Sequence, residues 1–228
     1  MNSSSNPFSL AIRTARCTAA MGAALLLCAC ATPVTQIDTT AFRESRPRSI
    51  LVMPPVNQSP EIKASMTFLA TSTMPLAESG YYVIPVTLSE ETFKQNGVTV
   101  AEEAHAIELA KLREIFGADA ALYITITHFG TSYRLINSVV EAAASAKLVD
   151  LRTSRELWTG RTFVTLGNNN SGGGGLVGAL VSAVINQIAN TLMDKSHDAG
   201  RMANYQLLSA GHQNSILYGP YHSRYETD

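Results

Sequence analysis

The stretch LAKLREIFGADAALYITIT, residues 109–127, changes its hydrophobic period halfway along. Its first half places Leu112 and Phe116 on one face of a helix, because side chains three or four residues apart share a face. Gly117 can take the left-handed conformation that ends a helix. From residue 120 to 127 apolar and polar side chains alternate, which is typical of a strand. A helix followed directly by a strand indicates an α/β fold.

Hydrophobic periodicity and capping residues predict the other elements. Runs rich in β-branched and aromatic residues predict strands, and Ser, Thr or Pro ahead of an apolar period predicts the start of a helix. The predicted strands lie at 49–53, 81–86, 120–127, 138–151 and 156–166. Between the first two strands we predict one helix with Ser59-Pro60-Glu61 as its N-cap region and another that begins near Pro75 and ends at Gly80. A further helix has a capping box at 99–102 and an apolar face formed by Ile107, Leu109, Leu112, Ile115 and Phe116. Two strand–helix units followed by an antiparallel hairpin predict a mixed β-sheet flanked by helices in a single α/β domain.

Length and composition limit the class of protein. The chain has 228 residues, of which 46% are hydrophobic and 15% charged, enough for one ordinary domain or at most two small ones. A disordered chain would carry far less apolar content. The formal net charge of -1 leaves no basic excess, so we expect no nucleic-acid partner.

The first 29 residues have the order of a signal peptide. Arg13 and Arg16 precede an apolar run over residues 17–29, and no acidic residue lies among them. The run is shorter than the roughly 20 residues that a helix needs to cross a hydrocarbon core. We therefore expect a cleaved signal segment rather than a permanent transmembrane helix.

The signal segment ends in LCAC, residues 27–30, which resembles a bacterial lipobox. This predicts cleavage between Ala29 and Cys30, with Cys30 as the lipidated residue. Lipidation of Cys28 would place Leu27 at the position before the cleavage site, where a small residue is required. The alternative is an ordinary signal peptide cleaved at a small-residue site, with Cys30 merely nearby.

The mature chain would be mildly acidic, and no cysteine follows Cys30, so no disulfide is expected. Several acyl chains on Cys30 would hold the protein firmly on a membrane. Residue 31 is Ala rather than Asp, which by the sorting rule for such lipoproteins implies the outer membrane. Residues 31–48 are polar, contain two prolines and show no apolar period, so they are predicted to be a tether.

These patterns divide the chain into four parts. The parts are a signal peptide at 1–29, a lipidated N-terminus and tether at 30–48, a globular domain at 49–210 with a glycine-rich insert at 167–175, and a C-terminal tail at 211–228. Residues 176–192 are predicted to form an apolar helix with a polar stripe. This helix fits the core, a partner or membrane surface, or a membrane span, and its length and its Asn and Gln residues favour the core. The aromatic tail could lie on the domain or on a partner.

Motifs that carry chemistry are weak in this sequence. Gly173, Gly175 and Gly178 satisfy a dinucleotide fingerprint only because four glycines are consecutive, and no ribose-binding acid follows on a parallel strand. The histidines are scattered, and the pair His197-Asp198 is more typical of a helix junction than of a metal site. Acidic pairs at Glu90-Glu91 and Glu102-Glu103 are interpreted as helix starts. We predict no catalytic, cofactor-binding or metal site and no enzyme activity.

Four stretches together resemble a proteobacterial family of uncharacterised lipoproteins. They are the lipobox, ILVMPPVN at 50–57, FGADA at 116–120 and DLRT-x-x-x-LWTG at 150–160. The resemblance extends over roughly residues 30–225, and the family domain is similar to the N-terminal domain of TolB and to the periplasmic part of CsgG. It implies an envelope location, a layered α/β domain and association with protein partners, and it brings no catalytic residues. Physically, Asp119 can turn the chain into a strand and Trp158 can pack the hairpin against a helix.

The leading hypothesis is an outer-membrane lipoprotein with a periplasmic domain, anchored through Cys30 and serving as a non-enzymatic assembly or accessory subunit of an envelope complex. One alternative is an envelope hydrolase or ligand-binding protein, which a pocket with converging polar groups would support. The other is a homo-oligomer that assembles into a ring or pore, using the glycine-rich loop and residues 176–192.

Overall fold

Six strands form one mixed sheet in the part of the chain that the computed structural model describes, residues 38–133, 138–167 and 195–227. All of these residues lie in one compact unit, residues 37–228. The elements are α1 (Thr40–Ser45), β1 (Ser49–Val52), β2 (Val56–Asn57), α2 (Lys63–Glu78), β3 (Tyr82–Val83), α3 (Val86–Gln95), α4 (Ala101–His105), α5 (Leu109–Phe116), β4 (Ala120–Tyr133), β5 (Ser138–Asp150), β6 (Glu156–Gly167) and α6 (Lys195–Leu208). The predicted signal peptide, Ala29 and Cys30, most of the glycine-rich insert and the predicted helix at 176–192 lie outside the described residues.

The sheet has the order β3-β1-β4-β5-β6, and β2 also pairs with β4. β1 runs parallel to β3 and β4, whereas β4, β5 and β6 are antiparallel. The predicted α/β fold with a mixed sheet flanked by helices is therefore confirmed, as are the three strands that begin at residues 120, 138 and 156.

Helices cover both faces of β1 and of the first half of β4. Along β1, Ile50 and Val52 pack with α2 and α6 on one face, while Leu51 points to the other face, against α3, α4 and α5. Successive side chains of a strand alternate between faces, so a strand covered on both sides must be apolar at every position. This accounts for the continuous apolar run at 50–53, whereas Ser49 at the start of the predicted strand is polar and only partly buried.

The helix predicted from residue 99 to Gly117 is two helices, α4 and α5. Residues 106–108 separate them, and Glu108 has the extended angles φ -58 and ψ 135. The predicted capping box is also wrong, because α4 begins after Val100 without a side-chain cap. Ile107, between the two helices, is partly buried and packs against the apolar cluster that contains Leu51 and Leu112, so packing overrides the helical period. Gly117 ends α5 with a left-handed φ of 64, as predicted.

α2 runs without interruption through Pro75, so the prediction that a new helix begins there is wrong. The proline removes one backbone hydrogen bond, but its ring lies on the buried side of the helix, and packing stabilises the helix. The N-cap predicted at Ser59 is also wrong. The backbone N–H and the hydroxyl of Ser59 donate to the Asn57 side chain, and α2 begins later, at Lys63.

The strand predicted at 81–86 is shorter, because Pro85 precedes a helix that begins at Val86. As a result the pair Glu90-Glu91 lies in the middle of α3 rather than in its first turn. Glu102 and Glu103 do lie in the first turn of α4, where the helix dipole favours acidic side chains.

The C-terminal tail lies on the domain. Ile216 is fully buried, and the Tyr81 hydroxyl donates to the Leu217 carbonyl. The Gly219 N–H donates to the Ser79 carbonyl at 2.8 Å, next to the C-terminus of α2. These contacts make the tail part of the core rather than an appendage.

Candidate functional site

The chain joins the described domain at α1. Phe42 is 4% exposed and packs into the main core, and Arg46 ends the helix in the left-handed conformation with φ 48. The tether predicted at 31–48 therefore extends too far, since residues 40–48 belong to the fold. A single buried phenylalanine in a polar stretch is enough to dock a short helix, and it leaves no periodic signal.

Asp150, the last residue of β5, holds α1 against the turn between β5 and β6. Its side chain is 0% exposed and accepts hydrogen bonds from the backbone N–H groups of Arg152 at 2.6 Å and Thr153 at 2.9 Å. The Ser45 hydroxyl, at the end of α1, donates to the other carboxylate oxygen. One carboxylate therefore fixes the turn and the helix together.

Two arginines complete this junction. The Arg152 guanidinium donates to the Ser45 carbonyl at 2.7 Å and lies 3.3 Å from the Asp150 carboxylate. Arg155 forms an ion pair with Glu44 of α1. Because both members of that second pair are exposed, it contributes little to stability. The buried carboxylate is the stronger contact.

The pKa of Asp150 lies below its usual value. Burial acts to raise it, but the hydrogen bonds from Ser45, Thr153 and Arg152 stabilise the charged form and outweigh burial. In the folded protein Asp150 is therefore an ionised hydrogen-bond acceptor, and its donors are Ser45, Arg152 and Thr153.

A cavity of about 300 Å³ lies beside this junction, between α1 and the β5–β6 turn. Its polar lining includes Ser45, Asp150 and Arg152, which bond to one another as described above. Groups arranged in this way hold two segments together. We define the contacts among Glu44, Ser45, Asp150, Arg152 and Arg155 as the anchor junction.

Comparisons with known proteins also place the start of the domain just before α1. The family model described as "Putative lipoprotein GNA1162-like" matches residues 37–221, from just before α1 to the tail. The chain belongs to this family. A "Putative lipoprotein" of Neisseria meningitidis serogroup B is 50% identical over 201 residues, which cover 88% of this chain and 93% of the relative.

Solved structures extend the comparison. The crystal structure of lipoprotein GNA1162 from Neisseria meningitidis is 53% identical, with a TM-score of 0.53, and covers 64% of this chain and all of its own. The PelC dodecamer from Paraburkholderia phytofirmans is 10% identical, with a TM-score of 0.42 over 77% of this chain and 91% of its own. That likeness is too low to assign an assembly. The names of the GNA1162-like relatives describe lipoproteins and indicate no enzyme family.

The residues considered as cofactor or metal ligands in this GNA1162-like chain lie partly outside the described residues. The glycines of the formal dinucleotide fingerprint lie outside the described residues. Asp198 is in the first turn of α6, 3.6 Å from Arg201, and so belongs to a helix-surface ion pair with that arginine. Within 38–133, 138–167 and 195–227, no three His, Cys, Asp or Glu side chains are grouped closely enough for a metal ion. No helix in those ranges has the length and hydropathy of a membrane span.

Asp119 and Trp158, which carry part of the family resemblance, both have structural roles: Asp119 lies at a bend just before β4, where it is predicted to turn the chain, and it also bonds to β1. The Asp119 carboxylate accepts the backbone N–H groups of Arg48 at 2.9 Å and Ser49 at 3.2 Å, which ties the start of β4 to the start of β1. Buried Trp158 lies in the same core cluster as Leu207 of α6, and its indole N–H donates to the Asn214 carbonyl at 3.0 Å. Sequence reasoning missed the anchor junction, although an aspartate at the start of a turn is a usual backbone acceptor.

His105 gives the domain a pH-dependent contact. Burial lowers the pKa of its imidazole, although the hydrogen bond of Nε2 to the Pro54 carbonyl, at 2.8 Å, acts in the opposite direction. Because the folded pKa lies below the unfolded value of about 6.5, the unfolded chain takes up the proton first as the pH falls. The free energy of unfolding should therefore decrease below about pH 6.5.

His105→Gln should reduce this pH dependence, because the amide can still donate to Pro54 and does not titrate. Urea unfolding between about pH 7.5 and 5 measures how steeply the free energy of unfolding changes with pH. The histidine pKa of about 6.5 in the unfolded chain lies inside this range. A variant with the same slope as the wild type would assign the pH dependence to other groups.

Proposed function

We propose that this GNA1162-like protein is an outer-membrane lipoprotein, anchored by acyl chains on Cys30, whose domain faces the periplasm. There it serves as a non-enzymatic assembly or accessory subunit of a cell-envelope complex. The observation that carries the proposal is the combination of membership in a lipoprotein family with a domain whose first helix is fixed by a buried, fully paired carboxylate.

The anchor junction determines how far the domain stands from the lipid. With α1 in the fold, the predicted tether would comprise only residues 31 to about 37. In general, a flexible chain of about seven residues spans roughly 15 Å on average, and a fully extended one about 24 Å. The domain would thus remain close to the membrane surface, within reach of other proteins anchored there.

Two features support an accessory rather than a catalytic role. The polar groups that line the cavity at the anchor junction bind one another, so they are already engaged in holding α1. The described surface also exposes large apolar side chains, such as Ile62 and Phe163, of the kind that contact protein partners.

Acyl labelling in cells tests the anchor. In the full-length protein, Cys30→Ala should abolish incorporation of labelled palmitate and leave the precursor uncleaved. Cys28→Ser is the matched control and should be labelled like the wild type. Ala31→Asp should be labelled but should move from the outer-membrane to the inner-membrane fraction. Labelling of the Cys30→Ala variant, or unchanged fractionation of Ala31→Asp, would contradict the respective part of the proposal.

Crosslinking in intact cells tests the role in a complex. The anchored wild-type protein should yield discrete crosslinked species with other envelope proteins, and these should be lost when Cys30→Ala leaves an unprocessed precursor that does not reach the outer membrane. A protein that crosslinks to nothing in the envelope, with or without its anchor, would refute the accessory role.

A further inference from the structure

α2 lacks charge over most of its length although one of its faces is open to solvent. No charged residue stands between Lys63 and Glu78. A helix on a protein surface normally carries charged side chains on its outer face. The outer face of α2 is therefore unusual for a helix that faces only water.

The outward side chains of α2 form a straight apolar row. Ile62, the residue before the helix, is 90% exposed, Met66 is 75% exposed and Met74 is 63% exposed. Exposed Ala70 lies between the two methionines. A spacing of four residues aligns these side chains along one ridge of a helix. We define Ile62, Met66, Ala70 and Met74 as the α2 row.

The opposite face of the helix explains why the row cannot turn inward. Phe68 and Leu76 are fully buried against the sheet and α6, and Asn204 of α6 donates to the Phe68 carbonyl at 2.7 Å. The Asn204 side-chain N–H also bonds the Thr71 hydroxyl at 2.7 Å. α2 is thus held in one rotation about its axis, with the α2 row on the surface.

We propose that the α2 row is the contact surface of a homodimer, in which two copies of α2 cross in antiparallel orientation on a two-fold axis at Ala70. The row is nearly symmetric about that residue, since Met66 and Met74 each lie four positions away. A two-fold axis at Ala70 places Met66 of each copy against Met74 of the other, so the same contact forms on both sides of the axis. Alanine at the crossing point lets the two backbones approach, as ridges of the four-residue type do when they pack.

The charges of Lys63 and Glu78 favour an antiparallel over a parallel arrangement of two copies of α2. Lys63 lies seven residues before Ala70, and Glu78 lies eight residues after it. Antiparallel crossing therefore brings Lys63 of each copy near Glu78 of the other, whereas a parallel pair would place like charges together. Tyr205 of α6 donates a hydrogen bond to the Glu78 carboxylate, which positions it at the end of the α2 row. The antiparallel helix dipoles add to this preference.

The small area of the α2 row limits the expected affinity of the dimer. A standard protein interface buries about 800 Å² on each partner, more than four side chains of one helix provide. We therefore expect a dissociation constant on the order of micromolar in solution. The flexible methionines suit such a contact, because they adapt their shape to the partner. The proposal does not depend on lipidation, and it is tested on protein without the anchor.

Cysteine crosslinking tests the geometry. The mature chain, residues 30–228, with Cys30→Ser contains no cysteine, so each introduced thiol is the only one. Ala70→Cys should form a disulfide-linked dimer rapidly, because the axis places residue 70 against its copy. The matched control is Ala110→Cys, an exposed alanine of α5 on the other side of the sheet, which should react at least tenfold more slowly. A mixture of Met66→Cys and Met74→Cys should yield more mixed dimer than either variant alone yields homodimer.

Sedimentation equilibrium tests the energetics. Met66→Glu should weaken the dimer at least tenfold, and its exposed position should leave the thermal transition unchanged. Lys63→Glu and Glu78→Lys should each weaken the dimer by a smaller factor, and the double variant should recover most of the loss. A protein that stays monomeric at about 100 μM, well above a micromolar constant, would overturn the proposal. Equal rates of crosslinking for Ala70→Cys and Ala110→Cys would also overturn it. So would a larger, ring-shaped oligomer whose assembly Met66→Glu does not affect.

Discussion

Asp150→Ala should lower the free energy of unfolding by about 3 kcal/mol. The substitution removes the shared acceptor of the Arg152 and Thr153 backbone N–H groups and of the Ser45 hydroxyl, at a side chain with no exposed surface. The three donors are partly buried, and hydrogen bonds to a charged acceptor contribute about 1.5–3 kcal/mol each. Chemical denaturation at pH 7 measures the loss, and proteolysis should cleave near α1 faster than in the wild type.

Asp150→Asn is the matched variant for the charge. Its amide oxygen can still accept from the turn, so we expect a smaller loss, about 1–2 kcal/mol. Because the folded pKa of Asp150 is lowered, its contribution is present above the unfolded value of about 3.8 and is lost as the pH falls through the folded value. The Asn variant should therefore lose less stability than the wild type on acidification below about pH 4. Equal stability of wild type and Asp150→Ala would show that the anchor junction does not hold α1.

Gly219→Ala should destabilise the domain by about 3 kcal/mol or more. An added Cβ would lie 2.3 Å from the Gly80 carbonyl oxygen and 2.7 Å from its carbon. Neither segment can easily move away, because the Gly219 N–H donates to Ser79 at 2.8 Å and the Tyr221 N–H donates to Gly80 at 3.1 Å. The C-terminal tail should detach, and with it the Asn214 carbonyl that accepts from Trp158.

Gly97→Ala separates steric overlap from backbone strain. Gly97 has a left-handed φ of +80, and an added Cβ would meet no atom within 4 Å. Its substitution should cost only the strain of about 1–2 kcal/mol for an alanine in that conformation. Thermal unfolding and tryptophan fluorescence measure both variants, since Trp158 is the only tryptophan. If Gly219→Ala unfolds like the wild type, the tail does not pack on α2 as described.

The sheet was accessible to sequence reasoning because its signals are local. The hairpin strands alternate in polarity, the run at 50–53 is apolar throughout, and Gly117 ends a helix just before β4. These features depend on neighbours within a few residues, which a period or a cap records directly.

What sequence reasoning missed depends on contacts between distant segments. Ser45 and Asp150 are 105 residues apart, so no spacing links them, and α1 is stabilised by the single buried side chain of Phe42. α2 continues through Pro75 because packing replaces the lost hydrogen bond. For the α2 row the sequence did contain a signal, the absence of charge from residue 64 to 77, but the outward face becomes known only once Phe68 and Leu76 are seen to be buried.

The anchor junction also has a mechanical consequence. In the proposed arrangement, any movement of the domain relative to the membrane pulls on α1. The Ser45 hydroxyl and carbonyl both bond to the β5–β6 turn, so a pulling force must break these bonds together rather than one after another. β5 pairs along its length with β4 and β6, which spreads the load across the centre of the sheet. The domain is thus built to bear tension at the end where its lipid would hold it.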